Sequence, residues 1–531
     1  MRIWKLFTAM LAACLAVPLT AAGDGDIWHK AESAHFTIYS SGDREDLVEF
    51  TRELEKFDGL LRFWFQKPDR GFADKIDIYM LRNQKQVASL IDHRSTVAGY
   101  YSSRVEGTYA VAHFKRGGMR DLSGQRVLFH EYAHHFMFSE FDKPVPAWLI
   151  EGFAEFLGTT EFNDDGTWTF GKPASHRGRE LRYYNDPQIE RLFKWPDEEE
   201  KIITGLYGWS WALTHMLYTA PDQGARISAY VDRLAAGEEP LPAAEAVFGN
   251  LTKLQGELRN HVRRKIEYSV SDQQFPWADS VDVTPLSADE SRLVELRLRR
   301  LGGADVEDVI ADLATYSTQT DLKADALTEL AHAMRLREAQ ARAKKRAEDE
   351  KEGRSTDYPY EPWFIEAEKV VDRALEADPE HVEANILKGT ILLGRLDARS
   401  EEEAVEADEW KAARRYLQRA NRADPTNTEA LYRLANSYAQ QEVENGFMYD
   451  AFGAAYLRAP QTRPFRISLA YDLARQGRYD EGLALLQMLA NDPHYPEHGR
   501  KAVERIEMMR ETGAKFPPEL PDEDEDETAE S

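Results

Sequence analysis

Stretches with alternating apolar and polar positions, and longer stretches with apolar positions every three or four residues, follow one another through the first half of the chain. The first kind indicates strands and the second kind indicates amphipathic helices. The predicted strands are 35–39, 75–81, 98–101 and 108–114. A helix is predicted over 45–65, between the first two strands. We therefore expect a mixed α+β domain over residues 26–268.

Helical patterns dominate the second half of the chain, and they repeat. An alanine stands five residues before a proline at Ala374 and Pro379, at Ala420 and Pro425, and at Ala455 and Pro460. With Pro493, these prolines approximate a period of about 34 residues, interrupted by an acidic insertion at 400–408. The pattern resembles the tetratricopeptide repeat. The resemblance implies an all-α solenoid over residues 288–510, with a concave surface that could hold a protein partner. The alternative is a scaffold that only covers the first domain.

Two polar stretches lie outside these domains. Residues 269–287 are irregular and contain two prolines, which predicts a linker between the domains. Residues 511–531 are strongly acidic, which predicts a disordered tail that aids solubility.

The N-terminus has the pattern of a secretory signal peptide. Basic residues precede an apolar run over 6–17, and small residues follow up to Ala22, where we expect cleavage. Cys14, the single cysteine, leaves open a lipoprotein cleavage as the alternative. A signal peptide over residues 1–22 predicts an exported protein, periplasmic or secreted. No second apolar run is long enough to span a membrane, so we expect no transmembrane segment.

The charge of the chain restricts its partners. Its formal net charge is −26 at pH 7. A negative excess of this size opposes non-specific binding to nucleic acids and to anionic lipid surfaces. We therefore expect no nucleic-acid partner.

The motif with the clearest chemistry is His130-Glu131-Tyr132-Ala133-His134. Residues four apart lie on one face of a helix, so both imidazoles can bind one Zn²⁺ while Glu131 reaches a zinc-activated water as general base. Ser123 as N-cap and the apolar residues that follow it support a helix here. The motif predicts the core of a zinc peptidase.

A second segment, residues 146–157, offers a third ligand on a further helix. Two histidines and the carboxylate of Glu151 would leave one position of a tetrahedral Zn²⁺ open, which is the catalytic arrangement. Glu155 lies one helical turn later, so we expect it on the same side. The competing interpretation of Glu151 and Glu155 is an acidic face in solvent.

Residues 148–155, Trp-Leu-Ile-Glu-Gly-Phe-Ala-Glu, resemble the third-ligand helix of the gluzincins, the clan of thermolysin and the zinc aminopeptidases, and of peptidase MA-like domains. The resemblance implies a thermolysin-like zincin domain with one Zn²⁺ per chain. It also implies that Glu155 hydrogen-bonds the second nitrogen of a ligand histidine. Tyr207 opens an apolar helix similar to one in gluzincin aminopeptidases, which implies a catalytic hydrogen bond to the tetrahedral intermediate.

The chain departs from the aminopeptidases in one respect. It lacks their Gly-x-Met-Glu-Asn segment, which holds a free substrate amino terminus, so an endopeptidase is expected. The leading hypothesis is an exported zinc metallopeptidase whose repeat domain recruits a peptide or protein substrate, or another partner. The alternative is a non-catalytic tetratricopeptide adaptor that carries a zinc-stabilised, peptidase-like domain.

Overall fold

The computed structural model describes residues 27–71, 73–91, 97–114, 123–195, 205–219, 223–303, 305–354, 364–400 and 405–520. The predicted signal peptide, with Cys14, and residues 521–531 of the predicted acidic tail lie outside the described residues. Within those ranges, no helix combines the length and the apolar character needed to cross a membrane.

The strands of the described residues form two sheets. In chain order they are β1 (His29–Glu32), β2 (Phe36–Ser40), β3 (Ile76–Leu81), β4 (Tyr100–Arg104), β5 (Gly107–His113), β6 (Glu161–Phe162), β7 (Trp168–Phe170), β8 (Ser269–Ser271) and β9 (Asp282–Pro285). The larger sheet has the order β4-β5-β3-β2-β1-β9. Its inner pairs, β2 with β3 and β3 with β5, are parallel, whereas the other pairs are antiparallel. The strands β6, β7 and β8 form the smaller, antiparallel sheet.

The first part of the chain, residues 27–285, also contains the following helices, of which the first three contact the larger sheet. They are α1 (Arg44–Phe65), α2 (Gln84–Ile91), α3 (Gly124–Glu140), α4 (Ala147–Leu157), α5 (Gly178–Tyr183), α6 (Ile189–Lys194), α7 (Leu206–Thr219), α8 (Gln223–Ala235), α9 (Pro240–Phe248) and α10 (Leu251–His261). Phe36 and Ile38 of β2 share a buried cluster with Phe57 of α1. Phe57 stacks on Phe129 of α3 with ring centroids 4.1 Å apart. Helix α3 is thus fixed between α1 and the rest of the core.

The stretch 269–287, expected to be an irregular linker, contains β8 and β9. β8 pairs with β7, and β9 pairs with β1 at the edge of the larger sheet, where Ala31 faces Val283. The first part of the chain therefore continues beyond residue 268, because its sheets use strands from this stretch. Alternation in these strands is short and mostly polar, so the pattern gave little indication of them.

The second part of the described chain is an array of antiparallel helices. They are α11 (Ala288–Gly302), α12 (Val306–Tyr316), α13 (Lys323–Lys351), α14 (Ile365–Ala377), α15 (Val382–Ser400), α16 (Ala407–Ala423), α17 (Thr428–Gln440), α18 (Gly446–Arg458), α19 (Arg463–Arg475), α20 (Tyr479–Ala490) and α21 (Pro496–Thr512). Consecutive helices pack against one another. Pro379, Pro425 and Pro460 stand two residues after the ends of α14, α16 and α18, as expected for residues that cannot continue a helix.

One side of this array faces the first part of the chain. Nη2 of Arg433, in α17, lies 2.6 Å from Oε1 of Glu106, which precedes β5. Nε of Arg458 lies 3.0 Å from Oδ1 of Asp74. Residues of α13 and α15 line a cavity of about 640 Å³ together with residues of β3 and β5. The sequence interpretation left a concave surface open to a protein partner. In the described residues, helices α13, α15 and α17 instead turn toward the chain's own first part.

Candidate metal centre

Helix α3 places the motif histidines side by side. Ser123 caps the helix by accepting a hydrogen bond from the backbone of Arg126 at 3.1 Å, as its sequence position predicted. The Nε2 atoms of His130 and His134 are 3.1 Å apart, and their rings are nearly perpendicular. The sequence spacing therefore brings both imidazole nitrogens to one point beside the helix.

Helix α4 carries Glu151 to the same point. Every residue of α4 is buried, and the helix packs closely on α7. Gly152 permits this contact, because a Cβ atom there would lie 2.1 Å from Thr214 Oγ1 and 2.6 Å from the carbonyl oxygen of Ser210. A small residue directly after Glu151 therefore sets the depth at which the carboxylate is held.

The three predicted ligands come together with spacings that suit a metal ion. Glu151 Oε1 lies 3.5 Å from His134 Nε2, and Glu151 Oε2 lies 3.7 Å from His130 Nε2. Ligand atoms bound at about 2.0–2.1 Å to a tetrahedral Zn²⁺ would be roughly 3.3 Å from each other. The observed spacings are within a few tenths of an ångström of that value, and the same three residues form a group able to hold a metal.

The environment of Glu151 tests whether these residues fit a cation. Its side chain is fully buried, and neither carboxylate oxygen has a well-aligned hydrogen bond among the described residues. A buried ionised carboxylate without compensation costs several kcal/mol, so buried carboxylates are normally paired or bind metals. The polar atoms near Glu151 are imidazole nitrogens of His130, His134 and His494, and none of them makes a well-aligned hydrogen bond to it, so the donor set fits a divalent cation.

The ionisation of the site agrees with this fit. Burial alone would raise the pKa of Glu151, but the charge of His134 and the contact with it hold that pKa well below its usual range. Burial lowers the pKa of an imidazole, yet the charge of Glu151 raises the pKa of His134 to about 9. Glu151 is therefore an anion that favours positive charge on His134, whereas burial and the charge of His134 lower the pKa of His130. A divalent cation would satisfy the same attraction to Glu151.

Glu155 lies behind His130, on the side that sequence analysis predicted. Its Oε1 is 3.7 Å from His130 Nδ1, which is longer than a hydrogen bond. Closer partners are His176, whose Nε2 is 2.9 Å from Oε2, and Arg177, which donates to Oε1 at 2.9 Å. Burial would raise the pKa of Glu155, but these neighbours and His130 lower it to about 2. Sequence reasoning missed His176 and Arg177, since neither belongs to a recognisable motif.

We predict that Glu155→Ala lowers zinc affinity by about 10–100-fold without abolishing binding, because the carboxylate lies 3.7 Å from His130 Nδ1 and would support that histidine rather than bind the metal. Competition with a chromophoric chelator measures the effect. Glu161→Ala is the matched control, since Glu161 is a half-exposed acid that pairs with Lys172. Equal zinc affinity in both variants would contradict a supporting role for Glu155.

Glu131 and Tyr207, the two predicted catalytic residues, lie on different sides of the three candidate metal ligands. Glu131 and His134 line a cavity of about 350 Å³ together with Tyr101 to Arg104 of β4. Tyr207 lies on the side of Arg177, whose guanidinium is 4.6 Å from the tyrosine ring centroid. Burial and the negative charge of Glu151 raise the pKa of Tyr207, so its hydroxyl stays protonated and able to donate. The catalytic role of Tyr207 stays a prediction.

A second group of acids with a histidine has a different character. His35 Nδ1 lies 2.7 Å from Glu55 Oε2 and 3.6 Å from Asp58 Oδ2. Asp58 also accepts hydrogen bonds from Arg62 at 2.8 Å and from Tyr132 at 2.6 Å. Burial would lower the pKa of His35, but its hydrogen bond to Glu55 and the charge of Asp58 raise it to about 9. The spacing of His35, Glu55 and Asp58 could also hold a metal ion. These carboxylates have well-aligned donors, whereas Glu151 has none, so we interpret the group as an ion-pair cluster.

The site thus combines two imidazoles and a buried carboxylate that lacks a well-aligned hydrogen bond with a further glutamate at the edge of a cavity. Sequence analysis named all four of these residues, His130, His134, Glu151 and Glu131, and the fold brings them to one place. Comparison of the chain with protein-family models, with curated proteins and with solved structures found no match.

Proposed function

We propose that this chain is an exported zinc metallopeptidase of the gluzincin kind that acts as an endopeptidase. The observation that carries the proposal is the buried carboxylate of Glu151, which faces His130 and His134 without a well-aligned hydrogen bond of its own. Two imidazoles and one carboxylate are the ligand set of catalytic rather than structural zinc sites. The first part would then be a zincin domain and the helical array a tetratricopeptide solenoid.

His130, His134 and Glu151 would hold the ion. When bound, Zn²⁺ supplies a Lewis acid that polarises a carbonyl group and makes water more acidic. Glu131 accepts the proton of the attacking water and returns it to the leaving amine, so a single carboxylate acts first as base and then as acid. The protonated hydroxyl of Tyr207 donates to the oxygen on which negative charge develops.

The substrate class follows from the cavity next to Glu131. β4 is the outermost strand of the larger sheet and forms one wall. An exposed strand edge binds an extended peptide through backbone hydrogen bonds. The opposite wall comes from the helical array of residues 288–512, called the repeat part below. The residues of this wall include Arg463 and Tyr495. A cleft of about 350 Å³ between two walls would suit a single extended chain better than a folded domain.

This arrangement changes the role expected for the repeat part. Sequence analysis gave it a free concave surface for recruitment of a substrate or partner. Since its inner helices contact the first part, we propose instead that it forms a wall of the substrate cleft. The peptide substrate would enter between the two parts of the chain, and a separate protein partner on the inner face is not required.

The proposal predicts zinc-dependent cleavage of unstructured peptides. The purified chain without its first 22 residues should hydrolyse members of a mixed library of quenched fluorescent peptides, because the cleft admits extended backbone. Chelation should abolish the activity and added zinc should restore it. A small folded protein should resist cleavage while a permanently unfolded variant of it is cut. A zinc-loaded chain that cleaves no member of the library would favour the non-catalytic adaptor.

A further inference from the structure

The repeat part of the chain contributes a side chain to the metal centre itself. His494 lies in the loop between α20 and α21, and its Nε2 atom is 2.9 Å from Glu151 Oε1. This is shorter than the distance from that oxygen to His134 Nε2, which is 3.5 Å. The rings of His134 and His494 lie nearly perpendicular, with centroids 6.2 Å apart. His494 also lines the cavity that contains Glu131.

The loop that presents His494 is held in a defined shape. Asp492 is buried and accepts hydrogen bonds from the backbone of His494 at 2.9 Å and of Tyr495 at 3.2 Å. Its other oxygen accepts two bonds from Arg463, at 3.1 and 3.2 Å. The guanidinium of Arg463 also lies 4.4 Å from the ring centroid of Tyr495. The backbone of His494 is therefore fixed from both sides.

The start of helix α19 anchors this loop to the metal-binding helix. Gln461, just before α19, accepts a hydrogen bond from Ser139 of α3 at 3.1 Å and donates one to Thr108 at 3.1 Å. Arg466 of α19 donates to the carbonyl oxygen of Phe138, also in α3. The helix that carries His130 and His134 is thus bound to the same segment that holds Asp492 and His494 in place.

We propose that His494 is a positioning residue of the metal centre, which donates a hydrogen bond from Nε2 to the Glu151 oxygen that does not bind the metal. The inference rests on the proposed metal site. A carboxylate that binds a metal through one oxygen needs a donor on the other to fix its orientation. His494 Nε2 is at hydrogen-bonding distance from Glu151 Oε1, and it is closer to that carboxylate than either His130 or His134. The centre is therefore completed by the repeat part.

The test compares zinc affinities of the whole chain, with and without the His494 side chain. His494→Ala should weaken zinc binding by about 10–100-fold, the range for partners that orient a ligand. His494→Gln should recover much of the loss, because its amide nitrogen can donate from nearly the same position. His498→Ala is the matched control, since His498 lies four residues further on with its side chain about half exposed. Competition with a chromophoric chelator gives all affinities.

Two further measurements distinguish a positioning role of His494 from direct binding of the metal. Thermal unfolding without added zinc should stay cooperative in all variants, because the loop that carries His494 is held by Asp492. The visible spectrum of bound Co²⁺ should be unchanged in His494→Ala and His494→Gln, since the ligand set is unaltered. Equal zinc affinity in His494→Ala and His498→Ala would overturn the proposal. A changed Co²⁺ spectrum, or an equal loss with Ala and Gln, would also overturn it by making His494 a direct ligand.

These outcomes separate the inference from the proposed function. If the chain binds zinc more weakly in His494→Ala but the unaltered chain cleaves no peptide, the positioning role stands and the peptidase proposal fails. If the unaltered chain cleaves peptides and His494→Ala keeps full zinc affinity, only the positioning role fails.

Discussion

Glu131→Gln is expected to keep its zinc and its fold while losing peptide hydrolysis by about 10²–10⁴-fold, the usual contribution of a general base. The amide has nearly the shape of the carboxylate but cannot accept the proton of the attacking water. Turnover of the best peptide from the library gives the activity, and metal analysis gives the zinc content. Glu161→Gln makes the same chemical change at a half-exposed site away from the cavity and should leave turnover unchanged.

The outcome also decides between the peptidase and the adaptor. In an adaptor, Glu131 has no chemical task, so its replacement would change neither zinc content nor any binding property. Undiminished hydrolysis by a zinc-loaded Glu131→Gln chain would exclude Glu131 as the base. In that case another group at the cavity would have to accept the proton.

Glu151→Ala is expected to weaken zinc binding by more than about 100-fold, beyond the range of residues that only orient a ligand. The change removes one of three bonds to the ion and the single negative charge among the ligands. Chelator competition measures the affinity directly. Thermal unfolding gives an independent result, because a ligand present at 1,000 times its dissociation constant stabilises the folded state by about 4 kcal/mol.

Added zinc should therefore raise the unfolding temperature of the unaltered chain and leave that of Glu151→Ala nearly unchanged. Glu180→Ala is a suitable control, since Glu180 is an acid near the site that pairs with Arg177 and not with the histidines. If zinc stabilised Glu151→Ala as strongly as the unaltered chain, the third-ligand assignment would be wrong. The ion would then bind elsewhere.

Local patterns predicted several elements of the domain that holds the proposed metal site. Helix α3 begins directly after Ser123, and the strand predicted at 75–81 is observed as Ile76–Leu81. These predictions succeeded because capping and apolar periodicity depend on residues close in sequence. The spacing of the two histidines similarly depends on one helix alone.

The features that sequence did not indicate all depend on distant partners. β8 and β9 exist because strands far along the chain pair with them, and their own residues give no clear alternation. His176 and Arg177 reach Glu155 only because a short helical turn folds over α4. His494 is a lone histidine between two prolines, and nothing near it in sequence relates it to Glu151. It reaches the site through the fold, in which Gln461 and Arg466 hydrogen-bond to α3.

The pairing of β1 with β9 has a consequence for how the chain reaches its fold. Synthesis proceeds from the N-terminus, so residues 29–32 emerge long before residues 282–285, with which they pair. Until then one side of β1 presents unpaired backbone groups, which can pair with another chain and start aggregation. Closure of so long a loop also slows folding. A chain that stops before residue 282 would keep this open edge permanently, so truncation there should favour aggregation even though every proposed zinc ligand is present.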